Sequence, residues 1–142
     1  MSNDFEKYCF PEGKRYNSFV GYFKRKYGER LQKIVLDAGF TCPNRDGKVG
    51  RGGCTYCNNQ TFNPEYCNPH LGIRRQLEDG IAFFARKYPQ MRYLAYFQAY
   101  TNTYGSIEEL QERYEAVLKV EGCVGIVIGT RPDCMPESLL DY

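Results

Sequence analysis

Residues 92–129, RYLAYFQAYTNTYGSIEELQERYEAVLKVEGCVGIVIG, decide the fold, because their pattern predicts a strand, a helix and a second strand in succession. Apolar runs of strand length, rich in aromatic and β-branched residues, occupy 92–98 and 123–129. Between them, Ser106 and Glu109 form a capping box, in which the hydroxyl and the carboxylate bind free amides at the start of a helix. Strands joined by such a helical crossover run parallel. The segment therefore predicts an α/β fold.

The same pattern extends in both directions along the chain. Upstream, residues 33–37 predict a short buried strand, and apolar residues at helical spacing predict helices over 16–27 and 73–88. The continuous apolar run at 123–129 is typical of a strand covered on both faces. Downstream, Pro136 is typical of the first turn of a further helix. The order is one helix followed by three strand–helix units, the last of them cut short.

An unusual polar segment follows each predicted strand. A long glycine-rich loop from 39 to 68 follows the first strand, residues 98–103 follow the second, and residues 130–133 follow the third. In barrels of parallel strands the functional site lies at the carboxyl ends of the strands. We therefore expect the three segments to meet at one edge of the sheet and to form the site.

Composition limits the class of protein. The chain has 142 residues, of which 42% are hydrophobic and 25% charged, as in ordinary globular domains. Its net charge of +2 gives no general affinity for nucleic acid or membranes. Seven cysteines, an odd number, and the lack of a signal peptide argue for a reducing compartment. No apolar stretch approaches the roughly 20 residues that span a bilayer. We expect a cytoplasmic protein.

The glycine-rich loop carries the most informative motif of the chain. Cys42, Cys54 and Cys57 are spaced C-x11-C-x2-C. Three thiolates can hold three corners of a cubane iron–sulfur cluster and leave the fourth iron open. An open iron is a place where a substrate or cosubstrate binds, so the trio points toward catalysis.

A structural zinc site is the alternative interpretation of this loop. Cys54, Cys57, Cys67 and His70 have the spacing C-x2-C-x9-C-x2-H, which is common among zinc ligands. In that case the protein would be a zinc-stabilised binding module rather than an enzyme. The zinc interpretation leaves Cys42 without a role. From the spacing alone, the cluster and the zinc site are about equally supported.

Three segments carry a family resemblance: TCPNRDGKVGRGGCTYCNN at 41–59, YFQAYTNTYG at 96–105 and GTRPDC at 129–134. They resemble the radical S-adenosylmethionine (radical SAM) enzymes, specifically the YhcC-type subgroup, which is related to the catalytic subunit of Elongator. Most of that superfamily has C-x3-C-x2-C, and the wider first gap matches this subgroup. The resemblance implies a partial (β/α)6 TIM-like barrel. Residues 1–31 would be a helical extension, and 32–142 the N-terminal half of the core domain.

The resemblance also implies a chemistry and a set of site residues. Cys42, Cys54 and Cys57 would hold a [4Fe–4S] cluster, which reductively cleaves S-adenosylmethionine to a 5′-deoxyadenosyl radical. Tyr56 matches an aromatic position near the adenine. The other residues expected to face the cosubstrate or the substrate are Gln98, Thr101, Asn102, Thr130, Arg131 and Asp133. The chain has no Gly-Gly-Glu at the second segment, where the family contacts the amino group of the cosubstrate.

The partners follow from the same resemblance. A reductive cleavage requires an electron donor of the flavodoxin or ferredoxin type. The relationship to Elongator, whose substrate is tRNA, raises RNA as a substrate class. The thirteen tyrosines and the basic group at 24–26 are compatible with RNA, although such residues more often serve packing and solvation.

Overall fold

A computed structural model describes residues 16–58 and 63–142 of the chain. By its internal contacts the chain divides into two compact units, Met1–Leu31 and Gln32–Tyr142. Among the described residues, no helix combines the length and the apolar character that crossing a bilayer requires.

The first unit contains helix α1, Phe19–Tyr27. Ser18 caps its start, because the hydroxyl accepts a hydrogen bond from the backbone N–H of Gly21 at 3.3 Å. Gly28 ends the helix in the left-handed conformation, with φ 77°, where a side chain would be strained. The helix predicted over 16–27 is thus confirmed, and it begins three residues later because Ser18 supplies the cap.

The second unit alternates strands and helices. Its elements are β1 Leu31–Leu36, of which only Leu31 belongs to the first unit, α2 Ile73–Ala85, β2 Arg92–Phe97, α3 Ile107–Leu118, β3 Cys123–Ile128, a 3-10 turn at Pro132–Cys134 and α4 Glu137–Leu140. The strands form one parallel sheet in the order β1-β2-β3, in which Tyr93 stands opposite Cys123 and Phe97 opposite Ile128. The predicted α/β fold with parallel strands is confirmed at this level.

The core lies between one face of the sheet and helices α2 and α3. It contains Ile34, Leu36, Ala95 and Phe97 from the strands, with Leu77, Leu110, Tyr114 and Val117 from the helices. The rings of Phe97 and Tyr114 meet edge to face, with centroids 5.2 Å apart. Helix α2 lies so close to β1 that a Cβ at Gly80 would stand 2.3 Å from Ile34 Cγ2. This tight layer fixes where the carboxyl ends of the strands lie.

Strand β3 differs from the expectation for its sequence. The continuous apolar run predicts burial on both faces, but all six residues of Cys123–Ile128 are only half-buried. Ile126 and Ile128 pack against the core, so the cover comes from the helix side. The expectation of complete burial is wrong for this chain. An apolar sequence indicates that a strand is suited to burial, but whether it is buried depends on which other elements pack against it.

Candidate functional site

The three loops that follow the strands meet at one edge of the sheet, as predicted. The backbone N–H of Thr101, after β2, donates to the carbonyl oxygen of Thr41, after β1, at 3.2 Å. The N–H of Asn102 donates to the carbonyl oxygen of Gly129, after β3, at 3.1 Å. Arg131 Nη1 donates to Cys42 Sγ at 3.7 Å. Each loop therefore contacts both of the others.

A cavity of about 530 Å³ opens where the loops meet. The three cysteines of the C-x11-C-x2-C motif all line it. Its walls are formed by Cys42, Asn44, Arg45, Gly52, Gly53, Cys54, Tyr56, Cys57, Tyr100, Thr101 and Arg131. Of the residues predicted for the site, the cavity thus brings together the three cysteines, Tyr56, Thr101 and Arg131.

The long gap between Cys42 and Cys54 is folded as a compact hairpin. Asp46 and Arg51 pair as an antiparallel bridge, and the N–H of Gly53 donates to the carbonyl oxygen of Asn44 at 3.0 Å. The chain therefore returns to its starting point before it reaches Cys54. Gly53 has φ 84°, and a Cβ there would stand 3.1 Å from Arg45 Cγ. Glycine is needed at this position for both reasons.

The thiol of Cys42 lies among several hydrogen-bond donors, one of which is Arg131 Nη1. Burial raises its pKa, but hydrogen bonds from the Thr101 side chain, the Asn44 backbone and the Arg131 guanidinium outweigh burial and lower the pKa overall. Arg131 is itself held by Asp133 through two contacts, Nε to Oδ1 at 2.9 Å and Nη2 to Oδ2 at 2.7 Å. The surroundings of Cys42 favour a thiolate, which is the form that binds metal.

Of the other two cysteines, Cys57 is exposed and Cys54 is half-buried, as Cys42 is. Asn44 Nδ2 donates to Cys54 Sγ at 3.2 Å, and the N–H of Cys57 donates to the carbonyl oxygen of Cys54 at 3.0 Å. Tyr56, between them, is 88% exposed. A hydrogen bond to Cys54 is the main cause that raises the Tyr56 pKa. The aromatic ring is therefore beside the thiols and open to a ligand from outside.

Four other residues predicted for the site are absent from the walls of this cavity in the described structure: Gln98, Asn102, Thr130 and Asp133. Asn102 is fully buried, and its Nδ2 donates to the carbonyl oxygens of Phe97 at 3.1 Å and Gly129 at 2.9 Å. It fastens the end of β2 to the end of β3, while its Oδ1 has no hydrogen-bond partner among the described residues. Thr130 contacts the hydroxyl of Thr103, and the N–H of Gln98 donates to the Leu36 carbonyl oxygen at 3.4 Å.

Sequence reasoning missed Arg45 and Tyr100. The guanidinium of Arg45 stacks over the Tyr100 ring, and both residues line the cavity. Neither stands at a spacing that marks a site. A backbone in a sparsely populated region, as at Tyr100, often accompanies functional sites, but it is visible only in coordinates. Asn44 was missed as well, because its contact with Cys54 is visible only in coordinates.

The four residues of the alternative zinc site are not brought together. Cys54 and Cys57 line the cavity, whereas Cys67 is buried at 6% exposure and its thiol lies beside Asp37. His70 is exposed. Across residues 16–58 and 63–142, no three His, Cys, Asp or Glu side chains converge as ligands of one metal ion.

The fold and the site define an α/β protein with a cysteine-lined cavity at the carboxyl edge of a parallel sheet. The chain is 44% identical over 125 residues to protein YhcC of Escherichia coli K12. It is 40% identical over 129 residues to uncharacterized protein YtqA of Bacillus subtilis, and 30% over 134 residues to uncharacterized protein MJ0486 of Methanocaldococcus jannaschii. These alignments cover 88%, 91% and 93% of this chain.

The same alignments cover 39%, 40% and 40% of the relatives. The chain thus spans about two-fifths of the length of the curated relatives it matches. No family model and no solved structure matches it.

Proposed function

We propose that this chain is the cluster-binding part of a radical SAM enzyme, in which Cys42, Cys54 and Cys57 hold a [4Fe–4S] cluster. One observation carries the proposal: all three thiols of the C-x11-C-x2-C motif line a single cavity at the edge where the three loops meet. The hairpin between Cys42 and Cys54 accounts for the wide first gap.

The residues present fit such a group. The three thiolates of a cubane bind three different irons, so they need to share a cavity rather than converge on one point. N–H groups of Arg131 and Asn44 already donate to the sulfurs of Cys42 and Cys54. Donors to the sulfurs are among the features by which proteins tune iron–sulfur clusters. The donor set therefore suits a cluster better than a lone hard cation, which prefers oxygen ligands.

When bound, the cluster would supply an open iron for S-adenosylmethionine and the electron that cleaves it to a 5′-deoxyadenosyl radical. The chain itself positions the groups around it. Tyr56 offers an exposed aromatic face on which an adenine can stack. The hydroxyl of Thr101 is engaged with Cys42, so we assign it to holding the thiol rather than the cosubstrate.

The proposed architecture is a partial (β/α)6 barrel of which this chain supplies three units. The half-buried β3 is compatible with further strands and helices packing there in a longer protein. The activity is proposed for that longer protein, together with an electron donor of the flavodoxin or ferredoxin type and a cytoplasmic, reducing location. RNA remains a proposed substrate class.

Anaerobic reconstitution with ferrous iron and sulfide tests the cluster assignment on this chain. We expect a brown protein that binds about four irons and bleaches with dithionite. A colourless protein with one tightly bound zinc would instead support the structural zinc site.

The activity is tested on a form extended to the length of the relatives. The reduced, reconstituted protein should convert S-adenosylmethionine to 5′-deoxyadenosine, detected by chromatography. The 142-residue chain should turn over poorly, because its cavity is open to water. An extended protein that holds the cluster and never yields 5′-deoxyadenosine would refute the enzyme.

A further inference from the structure

The guanidinium of Arg131 uses each of its three nitrogens for a separate contact. Nε and Nη2 bind the two carboxylate oxygens of Asp133 at 2.9 and 2.7 Å. Nη1 is left to point at Cys42 Sγ, 3.7 Å away. Because the guanidinium is planar and rigid, the two-point pair with Asp133 fixes the direction of the third nitrogen.

We propose that Asp133 locks Arg131 onto Cys42, and that this contact raises the reduction potential of the cluster; the inference rests on the proposed function. Arg131 is then a positioning residue that acts through the cysteine, in place of the role toward cosubstrate or substrate that the family resemblance implies. Asp133 acts one step further out, by holding the guanidinium in place.

The sign of the effect follows from charge. Reduction adds one negative charge to a cluster, and an N–H donor or a cation beside a ligand sulfur stabilises the more negative state. The contact therefore makes reduction easier. Asp133 stands on the far side of the guanidinium from the sulfur, so its own charge acts from a greater distance than that of Arg131.

Substitution of Asp133 distinguishes a positioning role from a purely electrostatic effect on the reduction potential. If only net charge mattered, Asp133→Asn would remove a negative charge and raise the potential. If Asp133 holds Arg131 in place, the same substitution frees the guanidinium to turn toward solvent, and the potential falls. The two explanations predict shifts of opposite sign from one variant.

Lys48 provides a matched control for charge. It lies on the hairpin between Cys42 and Cys54, with its Nζ 5.3 Å from the centre of the Tyr104 ring. Lys48→Gln removes one positive charge, as Arg131→Gln does. Arg131→Lys is a second probe, because it keeps the charge but cannot make both the two-point pair and the contact with Cys42.

The experiment is a redox titration of the anaerobically reconstituted proteins, followed by electron paramagnetic resonance, with iron content and circular dichroism measured for each. We expect wild-type iron and folding in all variants. The midpoint potential should fall in Arg131→Gln, Arg131→Lys and Asp133→Asn, and should stay near wild type in Lys48→Gln.

A higher potential in Asp133→Asn would overturn the inference, as would equal shifts in Arg131→Gln and Lys48→Gln. An unshifted Arg131→Gln in a protein that holds its cluster refutes this inference alone. A wild-type protein that takes up no cluster refutes the proposed function and this inference with it.

Discussion

The guanidinium carbon of Arg45 lies 3.9 Å from the centre of the Tyr100 ring, and Tyr100 is the sole described non-glycine residue with positive φ, at 62°. A left-handed backbone costs a residue with a Cβ about 1–2 kcal/mol. A cation over an aromatic ring contributes about 0.5–2 kcal/mol of stabilising free energy. The stacked pair therefore offsets much of the strain, and it ties the cysteine hairpin to the loop after β2.

This balance predicts an unusual order of stabilities at position 100. Tyr100→Ala loses the ring and keeps the strain, whereas Tyr100→Gly loses the ring but relieves the strain. We expect the glycine variant to be the more stable of the two by about 1 kcal/mol, measured by urea unfolding. Tyr100→Phe keeps the stacking and should resemble wild type. If the glycine variant were less stable than the alanine variant, the backbone at position 100 would not be strained.

The ligand assignment predicts which substitutions remove iron. Cys42→Ala, Cys54→Ala and Cys57→Ala should each lose most of the iron after anaerobic reconstitution, because each removes one of the three thiolates. Iron and sulfide analysis per folded chain gives the measurement. His70→Ala and Cys67→Ala serve as controls and should keep the wild-type content. Full iron in Cys42→Ala together with its loss in His70→Ala would reverse the assignment.

The burial of the Cys67 thiol predicts that the protein loses stability at alkaline pH. Burial raises its pKa from 9.0 to about 11. Between these values the unfolded thiol ionises while the folded thiol stays protonated, so the free energy of unfolding falls as pH rises from 9 to 11.

A pKa raised from 9.0 to about 11 corresponds to about 3 kcal/mol of unfolding free energy, which is fully present below pH 9 and is lost once the pH exceeds 11. Urea unfolding of the protein without cluster, across this range, should therefore show a steeper decline in wild type than in Cys67→Ala. Parallel declines in the two proteins would mean that other groups, tyrosines among them, cause the loss.

Two asparagines near the site should behave differently. Asn102 is buried and joins the ends of β2 and β3, so Asn102→Ala leaves two carbonyl groups without its donor and should cost about 1–3 kcal/mol. Asn44 reaches the sulfur of Cys54 from a half-buried position, and Asn44→Ala should weaken iron retention with less effect on stability. Urea unfolding and the rate of iron loss to a chelator measure the two effects. Equal losses of stability would contradict this division.

The backbone could be predicted from the sequence where local chemistry decides it. Both hydrogen bonds of the Ser106–Glu109 capping box are present, and α3 begins directly after Ser106. Helix α2 was predicted to 88 but ends at Ala85, where Arg86 is the C-cap and the N–H of Lys87 donates to the Phe84 carbonyl oxygen three residues back, which tightens the last turn. Proline at 89 marks the region of a helix end and does not fix the last residue.

The site could be predicted to the level of loops but not of contacts. Parallel strands bring their carboxyl ends to one edge whatever the side chains are, so the meeting of three loops follows from the order of elements. That Arg131 contacts Cys42, 89 positions away, depends on how two loops fold in space. Asn102 was predicted to face the cosubstrate, but its position between two carbonyl groups depends on the register of β2 and β3.

Because the segment after Cys42 folds as a hairpin, the distance between Cys42 and Cys54 does not depend on the number of residues between them. Its two arms pair, and Gly53 returns to Asn44, so residues added at or removed from the tip would change the count between the cysteines without moving either one. Loop closure costs grow only slowly with length, so such changes are thermodynamically tolerated. The number of residues between Cys42 and Cys54 can therefore vary. The length of the short Cys54–Cys57 turn cannot, because one backbone hydrogen bond closes it. Sequence comparison of such sites should anchor on the second gap and leave the first one open.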